Sequence, residues 1–149
     1  MRGVLVGLLL AAVIAACAGH KAAAPRAGMD TKRDEIQDLW MQIRDWRVQK
    51  GMPADPEVPM GNVFGQVPEI RQCKVEREPT TELCQDKCSL SDAICDNAER
   101  ICDIASELGG DPWANEKCKS AKASCKEATE KCCKCTEKEA AAAPAALER

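Results

Sequence analysis

Thiols dominate what this sequence could do chemically. The chain carries 11 cysteines in 149 residues. Cysteine offers three kinds of chemistry: soft-metal ligation, thiol–disulfide exchange and permanent cross-linking. Spacing decides among them. Structural zinc sites pair a Cys-x2-Cys with a second Cys or His pair; the chain has that spacing once, Cys132 and Cys135 within CCKC, with no second such pair and no His nearby. The stretch CQDKCSLSDAICDNAERIC instead places Cys88, Cys95 and Cys102 at intervals of seven. A second set, Cys118, Cys125 and Cys132, repeats that interval. Seven residues are close to two helical turns, so each set forms a column on one helix face.

Folded antiparallel about Gly109-Gly110, the two columns match. The residue numbers of Cys102 and Cys118, of Cys95 and Cys125, and of Cys88 and Cys132 add to one constant total. Companion positions share a total one lower: Ala105 with Ala114, Ala98 with Ala121, Ser91 with Ala128, and Cys84 with Cys135. Ordinary helix pairs lie about 8–10 Å apart, whereas a disulfide needs Cα atoms about 4.4–6.8 Å apart. Small residues between the rungs permit that approach. The register therefore predicts Cys88–Cys132, Cys95–Cys125, Cys102–Cys118 and Cys84–Cys135, leaving Cys73–Cys133. At the CCKC end, Cys73 and Cys84 could exchange partners.

The elements that position these thiols follow from periodicity and stop signals. Residues 81–108 read as a helix stopped by Gly109-Gly110, with a possible kink near Ser91 from the Ser89-x-x-Asp92 capping pattern. Asp111-Pro112 caps and starts a second helix over 112–135. Residues 31–50 read as an amphipathic helix capped by Thr31 and ended by Gly51, with Ile36, Leu39, Trp40 and Ile43 on one face and Trp46 at its edge. Trp40 and Trp46 could form a ligand platform; core packing is the simpler reading. Residues 51–80 hold five prolines and read as an extended connection pinned by Cys73. Leu90, Ile94, Ile101, Ile104 and Leu108 form a second stripe on the first hairpin helix, while the other hairpin helix is polar apart from Trp113. The expected fold is all-α: a disulfide-stapled antiparallel hairpin with the N-terminal helix docked on the Leu/Ile stripe, a small three-helix assembly over 31–136. Residues 137–149, with the AAAAPAA run, read as a disordered tail.

The N-terminus reads as an address. Met1-Arg2 precedes an apolar run from Val4 to Ala16, too short for a transmembrane helix of about 20 residues and suited to a signal-peptide core over 1–16. Ile14-Ala15-Ala16-Cys17 resembles the bacterial lipobox, with Ile14 in place of the preferred Leu. The resemblance implies a lipidated Cys17 and membrane attachment through its acyl chains; the small, polar, Pro-interrupted residues that follow read as a flexible tether over 17–30 containing His20, the only histidine. Removing Cys17 leaves ten cysteines, an even number. By resemblance to Gram-negative lipoproteins, Ala18 rather than Asp after the cysteine implies the outer membrane, facing the periplasm or the cell surface.

The cysteine seam resembles the disulfide-linked hairpins of coiled-coil-helix domains and plant alpha-hairpinins, which use Cys-x9-Cys or Cys-x3-Cys pairs where this chain uses Cys-x6-Cys. The lipobox, DEIQDLWMQIRDW and CSLSDAICDNAERIC together resemble a group of cysteine-rich lipoproteins of myxobacterial type. That resemblance carries no catalytic residue over to this chain, and neither a cofactor nor a metal is expected.

Function follows as an expectation. A net charge of −3 with basic and acidic residues interleaved excludes nucleic-acid binding, which needs a concentrated basic face. No HExxH, Ser-x-x-Lys or phosphate loop is present, and Glu127 and Glu130 read as solvated beside lysines. The expected protein is a non-enzymatic, membrane-anchored envelope lipoprotein, a rigid scaffold or interaction module for an envelope protein partner. Two alternatives stand beside it: a thiol-rich Cu(I) binder using CCKC, and a thiol–disulfide oxidoreductase using Cys133-Lys134-Cys135.

Overall fold

A computed structural model of the chain describes residues 24–57, 59, 65–73 and 78–142. The described residues form four helices and no strand: α1 (Ala24–Gln49), α2 (Val67–Ile70), α3 (Glu82–Glu107) and α4 (Pro112–Ala142). α3 and α4 form the antiparallel hairpin. α1 packs on both arms, more extensively on α3, and α2 is a single turn in the connection.

α1 forms because Ile36, Trp40, Ile43 and Arg47 recur at helical spacing and share a buried or half-buried face. It ends in a Schellman turn. The Met52 amide donates to the Arg47 carbonyl at 2.9 Å and the Gly51 amide to the Val48 carbonyl at 3.0 Å. Gly51 has φ +72°, a conformation that strains any residue bearing a Cβ. The helix starts at Ala24 rather than at Thr31, so the part of the expected tether from 24 to 30 is helical. Pro25 lies in the first turn, where its missing N–H costs no helical bond, and alanine favours the helix around it.

α3 is unbroken through Ser91. Ser89 and Asp92 lie inside this one helix and cap no new one, and the Ser91 hydroxyl lies 3.2 Å from the Thr129 hydroxyl across the hairpin. The hairpin turn uses Gly109 and Gly110, both at positive φ. Asp111 caps α4, accepting from the Ala114 amide at 3.0 Å. The Ala114 amide and the Arg33 guanidinium hold the Asp111 carboxyl below its ordinary value.

The core is one cluster. Ile94, Ile101 and Ile104 of α3 pack with Ile36 and Ile43 of α1, and Leu39, Trp40, Trp46, Leu90, Leu108 and Trp113 close its edges. The tryptophans thus belong to packing rather than to an open platform. α4 is less polar in its surroundings than its sequence implies. Ser120, Ala123, Ser124, Glu127 and Thr129 are all buried, and the Trp40 indole N–H donates to the Ser120 hydroxyl at 3.3 Å. Short side chains there leave room for α1 to settle against both arms.

α4 continues to Ala142, seven residues past the expected end at Cys135. Residues 137–142 are therefore helical, and Glu139 holds them down. Its carboxylate accepts from the Thr80 amide at 2.9 Å, from the Thr81 amide at 2.8 Å and from the Thr81 hydroxyl. The same hydroxyl accepts from the Cys84 amide, so Thr81 and Glu139 together cap the start of α3. The Thr81 hydroxyl and the Thr80 amide pull the Glu139 carboxyl from 4.5 down to about 2.

A pH-dependent prediction follows from that capping. A depressed carboxylate stabilises the fold fully above its ordinary value, and the contribution is lost as pH falls through the folded value. The window runs from about 4.5 down to about 2. Glu139→Gln keeps the shape and removes the charge. The gap between the urea midpoints of wild type and variant should be widest at neutral pH and close toward pH 2; a gap independent of pH would contradict the capping role.

Candidate functional site

The feature that distinguishes this molecule is its sulfur seam. The structure joins Cys102–Cys118, Cys95–Cys125, Cys88–Cys132, Cys84–Cys135 and Cys73–Cys133. The Cα separations are 4.7, 4.7 and 4.8 Å on the three sevenfold rungs. They are 5.6 and 5.5 Å for the two bridges at the CCKC end. All lie within the range a disulfide spans, and the sevenfold rungs sit near its lower edge. Such closeness needs neighbours without bulk. Ala98, Ala105, Ala114 and Ala121 are all at most 2% exposed.

Burial grades the seam. Cys95 and Cys125 are fully buried, whereas Cys88, Cys102, Cys118 and Cys132 are half-buried. The flanking bridge Cys73–Cys133 ties the proline-rich connection to α4. Cys133 and Cys135 thus pair with separate partners rather than with each other, and the Cys133-Lys134-Cys135 motif is split between two structural bridges. The ten described cysteines are all consumed in bridges, which leaves no thiolate among them for exchange or ligation. Among the described residues, no group of three or more His, Cys, Asp or Glu is placed to hold a metal ion.

A second constellation was not legible as a site: the junction of Arg47 and Glu127. Glu127 is buried, 7% exposed, and not solvated beside its lysines as the sequence implies. Arg47 is fully buried. Its Nη2 donates to Glu127 Oε2 at 2.7 Å, its Nε donates to the Pro53 carbonyl at 2.9 Å, and Nη2 also reaches the Asp55 carbonyl at 3.2 Å. The Glu57 amide donates to Glu127 Oε2 at 3.3 Å, and Lys131 lies 3.2 Å from Oε1. Burial pushes the Glu127 carboxyl up, but the Arg47 hydrogen bond and charge outweigh it and hold the group below its ordinary value. One ion pair thus fixes α1, α4 and the start of the connection together. The signal in the sequence was faint but real. Arg47 continues the spacing of Ile36, Trp40 and Ile43, so it had to face inward.

Along the α1–α4 edge, cations alternate with rings. Lys117 Nζ lies 3.2 Å from the Trp40 centroid, with the Arg44 guanidinium carbon 4.6 Å from the same centroid. The Arg33 guanidinium carbon lies 5.7 Å from the Trp113 centroid. These contacts cover the tryptophan faces and spend the cations on packing. Surface pairs Arg100–Glu35 and Lys32–Glu107 add further ties between α1 and α3; each is exposed and contributes little.

Expectations placed on residues 1–23, including lipidated Cys17, His20 and the signal segment, lie outside the described residues, as do those on residues 143–149. Among the described residues, no helix is long and apolar enough to cross a membrane.

Fold and seam together define a class: among the described residues, an all-helical body whose antiparallel pair α3 and α4 is riveted by disulfides. No protein-family model, curated protein or solved structure matches the chain.

Proposed function

We propose that the protein is a lipid-anchored component of a bacterial envelope, and that its helical body is a rigid scaffold or interaction module rather than an enzyme. The observation that carries this reading is the set of five bridges spread over the length of the hairpin. Disulfides form and persist in oxidising compartments such as the bacterial periplasm and cell surface. A body with a modest apolar core and many cross-links suits an exposed, protease-rich setting. The lipobox-like Ile14-Ala15-Ala16-Cys17 supplies the attachment, through acyl chains on Cys17. Stable anchoring takes more than one acyl chain, as a lipoprotein cysteine carries. The outer membrane is the proposed destination, on the strength of Ala18.

Metabolic labelling tests the anchor. Cells expressing the chain are fed labelled palmitate, and the protein is followed through membrane fractionation. The wild type should carry label and sediment with membranes; Cys17→Ser should lose both. An unlabelled wild type, or a Cys17→Ser variant retained in the membrane fraction, contradicts the anchored reading. Intact mass tests the seam: five bridges predict a gain of about 10 Da on full reduction, two hydrogens per cysteine pair. A smaller gain would mean free thiols and would reopen the metal-binding alternative.

A further inference from the structure

Where α1 ends, beside the first turns of α3 and the last turns of α4, the surface opens into a groove of about 810 Å³. That is within the range of small-molecule sites, about 300–1,000 Å³. Its floor is apolar: Met52, Leu83, Leu90, Ala128 and the Cys84–Cys135 bridge. Leu83 is 64% exposed, more than any other large apolar side chain among the described residues. The rim is basic. Lys50, Lys87, Lys131, Lys134 and Lys138 surround the groove against two carboxylates, Asp86 and Glu139. Five lysines against two carboxylates leave an excess of three positive charges, in a chain whose formal net charge is −3.

Those charges are not equally occupied. Lys131 pairs with Glu127 at 3.2 Å, and Lys50 approaches Asp86 at 4.0 Å. Glu139 is engaged in capping α3. Lys87, Lys134 and Lys138 have no ion-pair partner among the described residues. Lys131, Lys134 and Lys138 follow one face of α4 over about 10 Å, at 1.5 Å per residue. An apolar trough with unpaired cations along its lip is complementary to a molecule with a hydrocarbon chain and a negative end. A groove of about 810 Å³ takes a single hydrocarbon chain with its head group, whereas an acidic peptide would extend beyond it.

We propose that this groove binds a single-chain lipid with an anionic head. The chain lies on Leu83, Leu90 and Met52, and the head meets Lys134 and Lys138. This goes beyond the scaffold reading and stands without it, because it requires no acyl group on Cys17.

The test uses the full oxidised chain and laurate, titrated below its micelle-forming concentration and followed by calorimetry and amide chemical shifts. Saturable binding at one site is expected, with shifts centred on Leu83, Leu90 and residues 131–138. Neutralising three lysines (Lys87→Gln, Lys134→Gln, Lys138→Gln) should weaken binding at least tenfold, and Leu83→Asp should do the same. Lys134→Arg with Lys138→Arg should retain it. All these positions are at the surface, and far-UV circular dichroism checks that each variant is folded; should Leu83→Asp fail that check, the lysine variants carry the test. The proposal is overturned if the triple variant binds laurate as the wild type does, since the ligand would then sit elsewhere, for instance on residues 4–16. It is also overturned if butyrate binds as tightly, if dodecyl maltoside or dodecyltrimethylammonium binds equally well, or if an acidic amphipathic peptide occupies the groove and laurate does not.

Discussion

Full reduction of the five bridges unfolds the helical body at ambient temperature. The expectation rests on what remains once sulfur is removed. Apart from its cysteines, the apolar core comprises five buried isoleucines, Met52 and Val67, a seam of alanines and the partly buried aromatic and leucine edges. Alanines bury little area per residue, so the α3–α4 interface gains little without its cross-links. Each bridge contributes about 2–4 kcal/mol, and ordinary domains hold only about 5–15 kcal/mol in total. The contributions do not simply add, because Cys95–Cys125 lies inside a loop already closed by Cys88–Cys132. Even so, losing all five removes more than a small core can supply. Far-UV circular dichroism with rising reductant gives the measurement: helicity should fall cooperatively with the last bridges. A chain that stays helical, with an unchanged melting temperature, when fully reduced would remove the basis for treating the seam as structural. Order matters too. Cys95 and Cys125 are fully buried and should be the last pair to react, since exchange needs access for the attacking thiolate. The paired variant Cys95→Ala/Cys125→Ala should melt roughly 5–25 °C lower, at about 3–6 °C per kcal/mol for a body somewhat above 100 residues.

Removing either member of the Arg47–Glu127 pair should be nearly as damaging. Arg47 is fully buried, and without Glu127 its charge would face the α1–α4 interface uncompensated. Breaking a buried pair from one side costs about 3–5 kcal/mol. Arg47→Met should cost less than Glu127→Ala, because Glu127 keeps Lys131 and the Glu57 amide. The doubly apolar variant Arg47→Met/Glu127→Leu should recover much of the loss, since it leaves no orphan charge. Urea unfolding of the four proteins measures the coupling; a double variant whose loss equals the sum of the single losses would show that the pair does not act as a unit. The sign of the acid dependence also follows. Arg47 holds the Glu127 carboxyl below 4.5, so the pair's contribution is present above that pH and is lost as pH falls through the depressed folded value. Glu127→Gln removes that part of the acid sensitivity.

How much of this was written in the sequence depends on how far each signal reaches along the chain. The cysteine columns carry long-range information locally, because an antiparallel pair of regular helices converts spacing into register. That is why the hairpin, its turn and the docking stripe of Ile94, Ile101 and Ile104 can be read from residues alone. Charges carry no such arithmetic. Glu127 pairs with a residue 80 positions away, and its neighbouring lysines disguise it as solvated. Burial came from the short side chains around it, which let α1 close over α4. Glu139 is a partial exception. Continuing the register past Cys84 and Cys135 places Glu139 opposite Thr80, so its capping role could have been found had the alanine run not suggested a frayed end. The early start of α1 was hidden for a related reason: a small, polar stretch interrupted by Pro25 suits a tether, although proline is accommodated in a first turn.

The hairpin turn has a consequence for how the molecule tolerates damage. Gly109 and Gly110 are exposed and lie between Cys102 and Cys118, whose bridge closes a span of only 16 residues. A cut between the two glycines would divide the polypeptide yet release neither piece, because the two halves remain joined by five covalent links. The nicked form should migrate as a single species until sulfur is reduced, and then as two. This tip is accordingly where the architecture accepts an insertion, a tag or a scar of cleavage at least cost to the rest.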